Sequence, residues 1–312
     1  MTKLTDYMQD TPPGSEYDPY AYEMLDPQAP EIPTFPMLNL QDIRELPDPE
    51  WIVQNFLQSD SFAVLYGAPG STKSFWALDM ACSIACGVPF HNNKVKNGKV
   101  MLAAGEGLRG LKWRIEAWIM AHPDADEQKL YENLRIIPNV PHLLDQKHVN
   151  MLINTAELLT NDEENPLRLV IIDTWARAMV GGDENSQKDT GLAVEACDMI
   201  RKITGASTLV VHHSGVEGTR ERGSTALRGG ADTSIMATHE PHTRFTTVVV
   251  KKMKDGEQGH QSIYSLKQFG HSVVLTAYSD ATTGYPSALN KTVTRDREYY
   301  IQRAQEKKEF PF

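Results

Sequence analysis

The segment Gly67-Ala-Pro-Gly70-Ser-Thr-Lys73-Ser74 constrains this chain more than any other. It lies between an apolar run, Ser61-Phe-Ala-Val-Leu-Tyr66, and a stretch of helical texture from Lys73 to about Cys86. A glycine-rich turn in that strand-to-helix setting aims consecutive backbone N–H groups at one point, at the positive end of a helix dipole. This is the construction of a phosphate-binding loop. In such a loop Gly67, Ala68, Pro69, Gly70, Ser71 and Thr72 form the cradle, the Lys73 ammonium reaches the β- and γ-phosphates, and the Ser74 hydroxyl ligates Mg²⁺. Thr72 stands before the lysine, where glycine is usual.

Beyond the loop the chain alternates short β-rich runs with helical stretches. Val100-Met-Leu-Ala-Ala104, Leu134-Arg-Ile-Ile137, Leu169-Val-Ile-Ile172 and Ser207-Thr-Leu-Val-Val211 read as strands. Between them Leu111, Ile115, Trp118 and Ile119 fall on one face of a helix over 108–121, and further helices are expected near 150–159 and 189–203. Such alternation predicts an α/β fold with a mostly parallel central sheet flanked by helices, and ligands beyond the carboxyl ends of the strands. After residue 232 the texture becomes a β-meander over 233–238, 246–251, 261–266 and 273–277, with Asp255-Gly256 as a hairpin signal. An antiparallel C-terminal extension of the sheet is therefore expected.

Three further positions suit nucleotide chemistry. Asp173 closes an apolar run one hundred residues after Lys73 and places a carboxylate at a strand end, where it can complete a Mg²⁺ shell with Ser74. Glu106, between Gly105 and Gly107, follows the next strand; it suits either a carboxylate that polarises water or an acid at a helix N-terminus. His212-His213 ends the strand over 207–211. Adjacent strand residues point to opposite faces, so one of the two at most faces a nucleotide as a γ-phosphate sensor; a plain polar strand end is the other reading.

Charge is unevenly distributed. Of the net −10, residues 1–50 hold eleven acids against two bases, and the rest of the chain is nearly neutral. Residues 1–45 are also proline-rich and read as an acidic, disordered or extended arm; 46–280 form the domain that should fold; 281–312 read as a polar tail with a charged helix over 295–308. The opening residues lack the apolar core of a signal peptide, three cysteines make no disulfide framework, and no apolar run is long enough to span a bilayer, so a reducing, cytoplasmic setting without membrane association is expected.

Taken in order, Gly67…Lys73-Ser74, Ala104-Gly-Glu106-Gly, Ile171-Ile-Asp173-Thr-Trp-Ala-Arg177, His212-His213-Ser-Gly and Arg222-Gly-Ser-Thr-Ala-Leu-Arg228-Gly-Gly-Ala-Asp232 resemble the RecA-like ATPases of the RepA type, ring-forming hexameric helicases and related AAA-family ATPases of plasmids and phages. The resemblance spans about residues 45–280. It implies ATP and Mg²⁺ as ligands, Glu106 as catalytic glutamate, Asp173 as second Mg²⁺ acid, His213 as the sensor, a bacterial or phage-infected host cytoplasm, and a homohexamer acting with replication or recombination proteins on single-stranded DNA. Loops after the strands ending at Asp173 and His213 would meet DNA through Lys188, Arg220 and Arg222, and Arg228, Lys252 or Lys254 would reach a neighbouring subunit's nucleotide. The rival expectations are a recombinase or single-strand annealing ATPase, and a DNA-binding scaffold that ATP switches with little hydrolysis.

Overall fold

Strand alternation sorts the side chains of one central sheet into two cores, and this parity decides which groups can meet at its edge. The computed structural model describes residues 37–46, 48–105, 107–160, 162–213, 225–240, 242 and 245–278. The chain divides at Asp48–Pro49. In the first unit a short helix, α1 (Leu40–Arg44), is closed by a capping box in which Asn39 accepts from the N–H of Gln41 and Asp42 and Asp42 accepts from the N–H of Asn39.

The second unit opens with a small antiparallel pair, β1 (Trp51–Val53) and β2 (Leu57–Gln58). The first turn of the sheet proper runs β3 (Phe62–Gly67), α2 (Lys73–Cys86), β4 (Lys99–Ala104), α3 (Leu108–Ala121), α4 (Glu127–Asn133) and β5 (Leu134–Ile137). Then follow α5 (Gln146–Thr160), β6 (Leu167–Asp173), α6 (Trp175–Ala178), α7 (Gln187–Thr204), β7 (Ser207–His213) and α8 (Thr225–Gly230). The antiparallel extension is β8 (Thr233–Glu240), β9 (Phe245–Met253), β10 (Gln261–Phe269) and β11 (Ser272–Ala277).

These make a nine-stranded sheet of order β11-β10-β9-β8-β3-β7-β6-β4-β5. From β5 to β8 every neighbouring pair is parallel; β8 through β11 are antiparallel. The α/β expectation with its antiparallel extension holds. The β9–β10 connection is longer than a two-residue turn: Asp255-Gly256 lies within a link over 254–260.

The two cores follow the period of two. Ala63 and Leu65 of β3, Leu169 and Ile171 of β6, and Leu209 and Val211 of β7 pack with α2 and α3. Phe62, Val64 and Tyr66, Val170 and Ile172, and Val210 pack on the opposite face with α5, α6 and α7. Burial on both faces explains why these strands read as continuous apolar runs. Helix α2 is buried over most of its surface, including Cys82 and Cys86. Burial pushes the Cys86 thiol up to about 11, so it is inert at neutral pH.

One polar group sits inside the first core. The Asp79 carboxylate of α2 accepts from Trp118 Nε1 of α3 at 2.8 Å and lies 2.7 Å from His91 Nε2. It ties α2 to α3 and to the segment ahead of β4. Among the described residues no helix is long and apolar enough to cross a membrane.

Asp79→Ala leaves the Trp118 N–H without its acceptor and His91 without the carboxylate beside it. It should lower the unfolding free energy by about 3 kcal/mol in urea denaturation; a loss under about 1 kcal/mol would show that the bond is not what joins the helices.

Candidate functional site

The turn after β3 wraps tightly because its first residue has no side chain. A Cβ at Gly67 would stand 2.1 Å from the Ala237 carbonyl oxygen and 2.6 Å from Ser71 Oγ, so only glycine lets this strand end pass β8. The loop then delivers Lys73 into its own interior. Lys73 Nζ donates to the carbonyls of Gly67 and Ala68 at 2.9 and 2.8 Å and to Ser71 Oγ at 3.2 Å. Burial pushes this ammonium down to about 8, with the Asp173 carboxylate opposing the shift. Ser74, half-buried, is the next residue of α2.

Thr72 takes up the left-handed conformation, with φ +61° and ψ +15°. That conformation explains why glycine is usual at this point, and a β-branched residue there costs about 1–2 kcal/mol. A compensation is built in: Thr72 Oγ1 shares a 2.9 Å hydrogen bond with Thr246 Oγ1 of β9, which lies 3.0 Å from His239 Nδ1 of β8. The loop is thereby tethered to the antiparallel extension.

Strand parity brings the other candidates to the same edge. Asp173 ends β6 with the parity of Leu169 and Ile171, on the α2 face, in register with Ala104 and Val211. Its carbonyl accepts from Gly105 N–H at 2.8 Å, which holds the exit of β4 against β6. The peptide bond between Asp173 and Thr174 is cis. His213 shares the α2 face and is in register with Gly67, the first residue of the loop. His212 points the other way, buried, with its ring 6.5 Å from that of Trp175. Of the two histidines, His213 is the one on the loop side.

Glu106 lies outside the described residues, as do Arg220 and Arg222. Its neighbours are described: Gly105 follows β4, and Gly107, at φ +66°, caps α3. Lys188 is exposed and sits on the first turn of α7 rather than in the preceding loop, because the Ser186 side chain accepts from the Asp189 N–H and starts the helix there.

The three cations suggested as groups acting on a neighbour differ in what they already hold. Lys252 Nζ donates to the carbonyls of Arg228 at 3.0 Å, Gly229 at 3.1 Å and Ala231, closing the end of α8. Lys254 lies 3.4 Å from Asp232 Oδ1. Arg228 is exposed on α8.

Sequence reasoning missed Arg114. This α3 residue places its guanidinium 4.4 Å from the centre of the Phe75 ring, the residue after Ser74, and 3.7 Å from where a Cβ would stand at Gly107. Burial lowers its pKa and the Asp173 carboxylate raises it, so a cation and the strand-end acid share the site. No local pattern announces a contact between two helices.

The residues present suit a nucleotide and its divalent cation. Ser74, next to Lys73, and Asp173, whose charge reaches the Lys73 ammonium, offer hard oxygen donors, and Lys73 is bonded to neutral carbonyls that a phosphate would displace. A family model described as an AAA domain matches residues 27–219, more than half of the chain. No curated protein matches it.

Two predictions come from the loop. Thr72→Gly relieves the backbone strain as it loses the hydroxyl, whereas Thr72→Val keeps the strain and loses the bond. Thermal or urea unfolding should therefore place the valine variant below the glycine variant by about 1–2 kcal/mol; equal stabilities would mean that the left-handed turn at residue 72 carries no strain.

The second concerns Lys73. With its folded pKa lowered to about 8, the unfolded chain binds this proton more tightly, so the group's contribution to stability rises with pH from about 8 to 10.5. Phosphates would restore the charged form. Calorimetry of nucleotide binding at pH 9, in buffers of different ionisation enthalpy, should show uptake of about one proton that vanishes at pH 7 and in Lys73→Met.

Proposed function

The chain belongs to the AAA-domain family of P-loop ATPases, and from that premise we propose that it is a Mg²⁺-dependent motor that assembles into a ring and moves on single-stranded DNA. The observation that carries the proposal is the convergence at one sheet edge of the phosphate loop, Asp173 and His213, with Gly105 at the exit of β4 held beside Asp173 by a hydrogen bond. A strand-end acid beside the loop and a histidine in register with its first residue supply what a hydrolytic site needs besides the general base.

Each residue has a role in this reading. Lys73 leaves its carbonyl partners for the phosphates, and Ser74 and Asp173 hold the metal. Mg²⁺, when bound, neutralises charge on the β- and γ-oxygens. Glu106 orients and polarises the attacking water, and His213 contacts the γ-phosphate and registers its loss. Arg114 adds a positive group between Phe75 and Gly107 and steadies the charge around Asp173.

The ring rests on an argument about cations. Lys252 is engaged in holding α8 together and Lys254 is next to an acid, so Arg228 is the best placed of the three to reach a neighbour's nucleotide. Its planar fork also suits a phosphate better than an ammonium does. Lys188, Arg220 and Arg222 are assigned to DNA phosphates, which makes binding sequence-indifferent and salt-sensitive. Replication or recombination is the setting proposed for such a motor.

ATP hydrolysis should be stimulated several-fold or more by single-stranded DNA, and Glu106→Gln should cut turnover by about 10²–10⁴ while retaining ATP binding. Nucleotide-dependent assembly with negligible hydrolysis in the presence of DNA would replace the motor with an ATP-switched scaffold.

A further inference from the structure

The hydroxyl of Thr72 is a group that a phosphate loop with the usual glycine lacks, and it connects the loop to a titratable side chain outside it. Thr72 Oγ1 lies 2.9 Å from Thr246 Oγ1, and Thr246 Oγ1 lies 3.0 Å from His239 Nδ1. Strand pairing builds this relay. His239 of β8 and Thr246 of β9 stand directly opposite each other. Both take the α2 face, as Ile235 and Ala237 do on β8 and Val248 and Val250 on β9. Thr246 is fully buried in the middle, and His239 and Thr72 are half-buried at the two ends.

A hydroxyl has one proton to donate, so the directions of the two hydrogen bonds are linked. Where Nδ1 is bare, Thr246 donates to it and accepts from Thr72, and the Thr72 proton is used within the relay. A protonated imidazole carries hydrogen on both nitrogens. Thr246 then accepts from Nδ1–H and turns its own proton onto Thr72 Oγ1, which releases the Thr72 proton for another acceptor. The next residue is Lys73, so the acceptor at hand in a loaded loop is a phosphate oxygen.

We infer that His239 is a positioning residue for the nucleotide: the protonated ring sets the Thr246 and Thr72 hydroxyls so that Thr72 donates to a phosphate on the loop, and the neutral ring, in its Nε2–H form, withdraws that donor. Such regulation rests on the ATP reading of the loop and is independent of DNA. Phosphate and proton then strengthen each other's binding by the same factor.

The surroundings of the ring set its resting state. Burial holds His239 below the ordinary imidazole range, with the Phe245 backbone and the Glu240 carboxylate opposing, so the ring is mostly neutral at pH 7 without nucleotide. From β10, Tyr264 stands in register with Thr246, and burial raises its phenol so that it stays uncharged. Lys73 turns its ammonium to the Gly67 and Ala68 carbonyls, and His213 is two strands away, across β3.

The test follows the His239 imidazole of the full chain by proton NMR between pH 5 and 8, with and without saturating ADP and Mg²⁺. The resonance is assigned by its loss in His239→Gln, and saturation is checked by calorimetry. ADP should raise the His239 pKa by about half a unit or more in wild type, equivalent to about threefold tighter binding to the protonated protein. In Thr72→Gly and Thr246→Val the rise should be under about 0.2 unit. Glycine relieves the left-handed turn, so Thr72→Gly carries the comparison even where Thr246→Val lowers stability.

An equal rise in Thr72→Gly would mean that phosphate charge reaches the ring through space, which overturns the relay. An unshifted His239 in wild type saturated with ADP overturns it as well. Failure of wild type to bind ADP in the calorimeter would instead defeat the ATP reading of the loop, and the role of His239 with it.

Discussion

The structure turns on a cation held inside its own loop. The Lys73 ammonium is buried, desolvated and bonded to the Gly67 and Ala68 carbonyls, two acceptors that carry no formal charge. A fully charged ammonium in that setting gains less than it would from water or a phosphate, which is why its proton affinity falls. The loop is thus poised to exchange weak backbone partners for an anion. Its neighbours arrange that exchange: Gly67 permits the close approach to β8, the Thr72 hydroxyl fixes the left-handed turn against β9, and Asp173 supplies the nearby negative charge.

Parallel strands make this arrangement possible. Because β3, β7, β6 and β4 run the same way, their carboxyl ends meet at one edge, and the two-residue period decides which face each terminal side chain takes. Asp173 and His213 inherit the α2 face from Ile171 and Val211, while His212 is turned into the opposite core beside Trp175. The antiparallel extension then serves the loop from the other side, through Ala237 against Gly67 and Thr246 against Thr72.

Much of this was legible in the sequence, for a definite reason. Strands buried on both faces leave continuous apolar runs, and glycine-rich turns between such a run and a helix have few alternatives, so β3, α2, β4, β6 and β7 and the phosphate loop could be read directly. The preference for His213 over His212 came from the resemblance, and strand parity gives it a geometric basis. What escaped was short or non-local. The β1–β2 pair is too brief to show a period, and the Ser186-x-x-Asp189 cap that draws Lys188 into α7 was overlooked. Arg114 over Phe75, Thr72 with Thr246, and Lys252 on the end of α8 join residues far apart in sequence, and no local pattern encodes them.

The most direct measurement is a structure of the Glu106→Gln protein with ATP and Mg²⁺. The account predicts phosphates lying on the backbone of residues 67–74, Lys73 Nζ moved from the Gly67 and Ala68 carbonyls onto them, and Asp173 and His213 facing the metal and the γ-phosphate. Nucleotide bound elsewhere, or Lys73 still bonded to its two carbonyls with ATP present, would contradict it.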